Sequence, residues 1–278
     1  MREAVDLRAA VNAVSDVVQN RPRPIRNFDQ IYMKSGDMVV QSEIIADWAD
    51  DKRLAFIGDG DAISICVAYL QAKDIFDFGP RQITVFDFDE RQVNAVLRFA
   101  DLMGLDKLTA QLYNCLDPFP DHEKFDCFYT NPPWGASNGG ASVNVFVERG
   151  MEAINGVGDG VVVIADDDTL PWPKVVLSNV QKFASERRFY VSRMQRKLHE
   201  YHLDDAPDLK SCNLFLSSLP DTPLLKGPSA PVSGERLEHF YGAAKSPTVH
   251  YVRATPHAEY NMALDVEYTF ELLEKRHD

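Results

Sequence analysis

Basic charge is scarce in this sequence. Lysine and arginine number 29 against 42 aspartates and glutamates, a formal net charge of −13. A field of that sign repels a phosphate backbone, which argues against nucleic acid as a partner. Arg21, Arg23 and Arg26 form the single tight basic cluster. Long apolar runs are missing too, so nothing reads as a membrane span. The opening MREAVDLRAAVNAVSDVV carries acids in an amphipathic rhythm, unlike a signal peptide. The four cysteines, Cys66, Cys115, Cys127 and Cys212, show no CxxC spacing, which argues against a zinc site or a disulfide framework. Three of them lie in apolar segments and read as reduced structural thiols, so the expected location is cytoplasmic and the expected metal content is none. No repeat or low-complexity tract is present.

What is present suits one large globular domain with appendages. The chain has 278 residues, 45% hydrophobic and 26% charged. Residues 2–19 have the rhythm of an amphipathic helix, and the proline-rich RPRPIRNFDQIYM reads as ordered but irregular. From residue 53 strands and helices alternate. RLAFIG, QITVFDF, LTAQLYN, FDCFYT, GVVVIA, RRFYVSRMQ and CNLFLSSL read as seven strands. DAISICVAYLQAK, ERQVNAVLRFADLMG, ASVNVFVERGMEAI and WPKVVLSNVQKFA read as helices between them. That alternation predicts an α/β fold: a doubly wound, mostly parallel seven-stranded sheet with helices on both faces and an antiparallel edge hairpin. The expected divisions are a helical and irregular cap over 1–50, the sheet domain over 51–220, and a linker with a C-terminal extension over 221–278. In that extension TVHYVRA reads as a strand and VEYTFELLEKRHD as a helical end.

The first strand runs into Gly58-Asp59-Gly60-Asp61. Ligands of doubly wound folds sit beyond the carboxyl ends of the strands, where glycine lets the backbone approach them. A third glycine, as in GxGxxG, is absent, and two aspartates would repel a pyrophosphate. An adenosyl sulfonium, cationic and without phosphate, suffers neither objection. Asp87 ends the second strand, where a carboxylate can accept from both ribose hydroxyls, with Phe88 next to it. Asn114, after the third strand, is placed to reach an adenine amino group.

The fourth strand delivers Asn131-Pro132-Pro133-Trp134. Proline fixes φ and restricts its predecessor, so the carbonyls of Asn131 and Pro132 form a rigid fork. An amine donating into that fork aims its lone pair outward, a gain from orientation. Trp134 offers a face for stacking or for an ammonium. Phe56, Gly58 and Gly60 with this loop resemble class I S-adenosylmethionine-dependent transferases, over roughly residues 50–220. Methyltransferases acting on planar amino nitrogens carry a similar pattern.

Within that class, residues 21–218 resemble the branched-chain polyamine synthases, or N4-bis(aminopropyl)spermidine synthases. RPRPIRNFDQIYM, GDGDAIS, VFDFDER, NPPWG and KLHEYHLDDAPDLKS carry the resemblance. It implies a Rossmann-like fold, decarboxylated S-adenosylmethionine as aminopropyl donor and a polyamine acceptor, with methylthioadenosine as by-product. The family's Asp and Tyr around Pro-Pro are Asn131 and Trp134 here, and an Asp expected after the third strand is Asn114. Archaeal members also carry an N-terminal winged-helix domain, for which this chain is too short at that end.

Other candidates follow. Glu200 or His202 could take the proton of the attacking amine. Asp166, Asp167 and Asp168 after the fifth strand, and the late acids including Asp204, could hold a polycation, and Trp172 could line the acceptor's pocket. Each acidic group reads equally as a solvated surface. Two alternatives to aminopropyl transfer stay open: an S-adenosylmethionine-dependent N-methyltransferase acting on a small amine, nucleobase or protein amide, and a non-catalytic nucleoside or polyamine sensor. The expected partners are a small-molecule polyamine, with no nucleic acid and no membrane, and a homodimer is left open.

Overall fold

The computed structural model describes residues 5–203, 206–225, 227, 229–242, 247–255 and 268–273. Asp204 lies outside them. The chain begins with α1 (Leu7–Asn20), whose start is capped by Asp6: its Oδ1 accepts from the Arg8 and Ala9 amides. Ala10, Ala13, Val14 and Val17 form its buried stripe. A second helix, α2 (Ser35–Trp48), follows the irregular arm and has no counterpart in the sequence reading beyond the broad cap over 1–50.

The sheet then builds from β1 (Arg53–Ile57), β2 (Gln82–Asp87), β3 (Leu108–Leu112), β4 (Cys127–Thr130), β5 (Asp159–Asp166), β6 (Phe189–Glu200) and β7 (Lys210–Ser218). Its order is β3-β2-β1-β4-β5-β7-β6. The first five strands pair in parallel, and β7 runs antiparallel to both its neighbours. The expected edge hairpin is therefore present, with its second strand inserted between β5 and its first. Helices α3 (Ile63–Ala72), α4 (Glu90–Met103), α5 (Ala141–Ala153) and α6 (Pro171–Glu186) connect the strands.

Two cores flank the sheet, and strand alternation divides residues between them. In β1, Leu54 and Phe56 face the core shared with α1, α2 and α3, while Ala55 and Ile57 face the core under α5 and α6. In β5, Val161, Val163 and Ala165 take the first side, Val162 and Ile164 the second. Strands buried on both faces read as continuous apolar runs, which is how the sequence shows them. Helix α5 comes so close that a methyl at Gly150 would meet the Phe128 ring at 2.2 Å.

After β7 the chain returns to the second core. Val232 donates its amide to the Leu116 carbonyl at 2.8 Å, and Phe240 is fully buried. Arg149, also fully buried, donates to Glu152, to the Cys115 carbonyl and to Ser229 and Ala230 of this returning segment. A small antiparallel sheet, β8 (Val249–Ala254) with β9 (Tyr268–Leu272), follows. The expected helical end is thus corrected over 268–272. Tyr-Thr-Phe is β-forming sequence, and Phe270 gains an edge contact on Phe28 at 5.6 Å. No helix among the described residues is long and apolar enough to cross a membrane.

Candidate active site

The strand order reverses between β1 and β4, and a cavity of about 350 Å³ opens at their carboxyl ends. The Gly58–Asp61 turn, Asp87 with Phe88, and residues 131–134 all line it. Loop and turn, far apart in sequence, therefore share one pocket. Gly58 adopts φ +73, and a side chain there would press on Phe146.

Asp59 caps α3: its oxygens accept the Ile63 and Ser64 amides at 2.9 and 3.0 Å. That work satisfies a helix start that has no conventional cap, since Ala62 sits there in the left-handed region. Asp61 does something different. One oxygen accepts the Met33 amide at 2.7 Å, and the other accepts Asn131 Nδ2 at 2.6 Å. Burial pushes its carboxyl above the ordinary range, against the pull of the Met33 amide, Arg21 and Asn131. Asp87 accepts the amides of Asp59 and Asp89 at 3.0 and 2.9 Å. Burial, then the like charge of Asp89, raises it to about 7.

Asn131 is held from several sides. Besides Asp61, its Nδ2 points at Tyr201 Oη at 3.4 Å, and its Oδ1 accepts Trp134 Nε1 at 3.3 Å. Trp134 stands edge-on to Tyr201, 4.9 Å between centroids. Behind Tyr201 runs a buried polar chain. Ser211 Oγ lies 3.0 Å from Tyr201 Oη and 2.8 Å from His199 Nδ1, and His199 Nε2 reaches Gln41 at 2.8 Å. Burial drives His199 down to about 3, so this chain is neutral and serves to fix Tyr201.

The arm before α2 closes one side. Lys34 donates its amide to the Glu200 carbonyl and His202 donates its amide to the Tyr32 carbonyl, both at 2.9 Å. This pairing seats Tyr32 in the cavity wall with Arg21 over its ring at 4.0 Å. Leu170, Trp172, Leu203, Ala206 and Leu209 give the cavity an apolar stretch of wall.

Several expected site residues lie elsewhere. Glu200 and His202 do not line the cavity. They point away from it because Tyr201 and Leu203 point in, and successive residues of an extended chain face opposite ways. Glu200 instead bridges Lys34 and Lys210 at 2.8 and 3.0 Å, which hold its carboxyl down to about 2. Asp166 pairs with Arg196 and accepts the Lys197 amide, and Asp168 pairs with Arg196 and Lys197. Asp167 turns back to accept from Thr169 and Leu170. The three acids are neutralised or capping, and none lines the cavity. Phe56 is buried against Tyr129 in the core. Asn114 is consumed by the protein: Nδ2 donates to the His250 carbonyl, and Oδ1 accepts the Leu116 amide at 2.9 Å. Trp172 does line the cavity.

Sequence reasoning missed Phe28, Tyr32, Tyr201 and Tyr241, all of which line it. For Tyr201 the signal was there in the alternation of KLHEYHL. For Tyr241 no local pattern marks it. Among the described residues no group of three or more His, Cys, Asp or Glu is arranged to hold a metal ion.

The strand order, the glycine turn and the acid ending β2 together define the fold of class I S-adenosylmethionine-dependent transferases. A putative RNA methyltransferase of Pyrococcus horikoshii shares that fold, with a TM-score of 0.55 at 14% identity over 76% of this chain and 99% of that one. Residues 9–218 match the model of the branched-chain polyamine synthase A C-terminal domain, and the chain belongs to that family. It is 27% identical over 147 residues to the N(4)-bis(aminopropyl)spermidine synthase of Thermococcus kodakarensis, covering 51% of this chain and 39% of that protein. Its Thermus thermophilus counterpart is 28% identical over 144 residues, covering 50% and 38%. The chain therefore aligns with well under half the length of these curated relatives. The crystal structure of the Thermus thermophilus branched-chain polyamine synthase, in complex with N4-aminopropylspermidine and 5'-methylthioadenosine, superposes with a TM-score of 0.69 at 21% identity, over 88% of this chain and 71% of that one.

Proposed function

We propose that this chain transfers the aminopropyl group of decarboxylated S-adenosylmethionine to an amine nitrogen of a polyamine, in the cytosol. The observation that carries the reading is the 2.6 Å contact between Asp61 and Asn131. It joins the glycine turn, where the donor's sulfonium would lie, to the rigid loop that would hold the acceptor nitrogen.

The charge of the cavity favours this donor. Asp29, Asp59, Asp61 and Asp87 line it, against Arg26. Burial raises all four carboxyls, so a cation beside them is what draws them into the ionised form. The decarboxylated donor, a dication of sulfonium and ammonium, favours that ionisation, whereas the carboxylate of the parent compound opposes it. Asp87 would accept from the ribose hydroxyls, and Gly58 and Gly60 would admit the donor's chain. The carbonyls of Asn131 and Pro132 would orient the nitrogen, and Trp134 and Trp172 would wall the acceptor.

A polyamine nitrogen arrives protonated and must shed that proton before it attacks. Asp61, raised by burial and touching Asn131, replaces Glu200 and His202 as the group to receive it. The freed lone pair forms the new C–N bond at the methylene carbon, and the C–S pair returns to sulfur, leaving neutral methylthioadenosine. Family membership and the ligands named for the Thermus thermophilus structure support the same reading.

The test incubates purified protein with spermidine and each donor in turn. Methylthioadenosine and a heavier polyamine are expected from the decarboxylated donor. S-adenosylhomocysteine from the parent donor would replace the reading with methyl transfer, and no product from either would leave a binding protein.

A further inference from the structure

The nucleoside end of the cavity is closed from outside the family domain. The family match stops at residue 218, yet Tyr241 lines the pocket. Its ring stacks on Phe88 at 5.2 Å and 21°, and Phe28 of the N-terminal arm stands edge-on to both, at 5.2 and 5.3 Å. If Asp87 holds a ribose, as the proposed function requires, this aromatic wall starts at the next residue, Phe88, and offers the attached base a face.

Asn114 ties the wall down. Its Oδ1 lies 3.4 Å from Tyr241 Oη, and its Nδ2 donates to the His250 carbonyl of β8. Both bonds run from the end of β3 to the returning chain. Arm and returning chain also abut: a methyl at Gly242, which adopts φ +80, would meet Asp29 Oδ1 at 2.8 Å. Phe240, next to Tyr241, stacks on Phe146 at 6.1 Å, and Phe146 lies under Gly58.

We infer that Tyr241 is a base-contacting residue of the nucleoside site and that Asn114 is its positioning residue, acting through Tyr241 and His250 rather than on the ligand. Residues 232–241 are then a working part of the donor site, although they lie beyond the family domain.

Calorimetric titration with methylthioadenosine tests this on the full chain. Base–aromatic contact is worth roughly a tenfold change in affinity. Tyr241→Ala is expected to weaken binding about tenfold and Tyr241→Phe by less than about threefold, since the ring remains. Tyr241→Leu keeps the buried bulk without the ring and serves if the alanine variant does not fold; a loss of about fivefold is expected. Asn114→Ala should raise the dissociation constant several-fold and raise the donor's KM by more than it lowers kcat, with partial rescue by Asn114→Asp, which keeps the acceptor facing Tyr241. Folded Tyr241→Leu binding as the parent chain does would overturn the base contact. A melting temperature lowered in Asn114→Ala with affinity unmoved would overturn the positioning role. Absence of binding by the parent chain would overturn the nucleoside reading and this inference with it, an outcome distinct from binding that ignores residue 241.

Discussion

Asp87 should cost the fold stability that the site uses. Its carboxyl, ordinarily near 3.8, is raised to about 7 by burial and by Asp89. Each tenfold step in acidity is worth 1.36 kcal/mol, so the ionised side chain costs the folded state about 4 kcal/mol at pH 8. Below about pH 4 both states keep the proton and there is no cost. As pH rises the unfolded chain ionises first, and stability is lost progressively until Asp87 itself ionises near 7. At pH 5 less than half of that loss has accrued. Asp87→Asn removes the titration and also one acceptor, because its amide cannot receive both the Asp59 and Asp89 amides. That deletion costs about 1–3 kcal/mol at every pH. The difference between the two proteins therefore shifts in the variant's favour by about 3 kcal/mol from pH 5 to pH 8, whatever the fixed cost. In a chain of this size that is on the order of 5 °C in Tm. Paired melts in one buffer series would read it. The same variant should bind methylthioadenosine at least about tenfold more weakly at pH 8, losing charge-assisted bonds to the ribose. Melting curves that stay parallel across the series would refute the buried, strained carboxylate. Undiminished binding would refute its role as ribose acceptor.

Asn131→Ala should lower kcat about a hundredfold, the scale of a misplaced nucleophile, with methylthioadenosine affinity within about threefold by calorimetry; equal losses in both would contradict an orienting role. In the parent chain turnover should rise with pH through the raised pKa of Asp61, because the base acts deprotonated. Asp61→Asn should lose that limb of the pH–rate profile along with most activity. Glu200→Gln and His202→Ala should keep turnover, read as methylthioadenosine released, within about twofold, and a large loss from either would restore it as the base. Gly150→Ala drives a methyl into the Phe128 ring and should cost about 1–3 kcal/mol in urea melts.

Most of the sheet was legible because its strands are apolar on both faces and are bounded by turns. RLAFIG and GVVVIA could be little else once helices of ordinary length lay between them. The α2 helix escaped because its buried face, with Met38, Gln41, Ser42 and Ile45 at i, i+3, i+4 and i+7, includes two polar residues while Val40 is exposed, so apolar residues trace no single stripe in its sequence. Residues 268–272 were misread for a different reason. VEYTFELLEKRHD has enough charge to resemble a helix, while β9 depends on pairing with β8 and on Phe270 meeting Phe28, contacts no local window contains.

The errors at Glu200, His202 and Asn114 share one cause: polar residues were chosen by chemistry without asking which way they face. Strand parity decides that. At 199–203 the odd positions turn inward, so the plain Tyr201 holds Asn131 while the more reactive-looking Glu200 and His202 meet lysines and the surface. At 113–115 parity again puts Tyr113 and Cys115 in the cavity and sends Asn114 behind it. The acids after β5 failed for a different reason. Arg196 and Lys197 reach them only because β6 is irregular between Gln195 and His199, with Lys197 in the left-handed region. An uncompensated carboxylate near a cation site is therefore better sought by pairing than by composition. Asp61 comes nearer that standard in the cavity: its carboxyl oxygens accept from neutral donors, an amide N–H and a carboxamide, while Arg21 acts on it through space and bonds its backbone carbonyl instead. A buried carboxylate in that state binds a passing cation and accepts a proton more readily than a salt-bridged one.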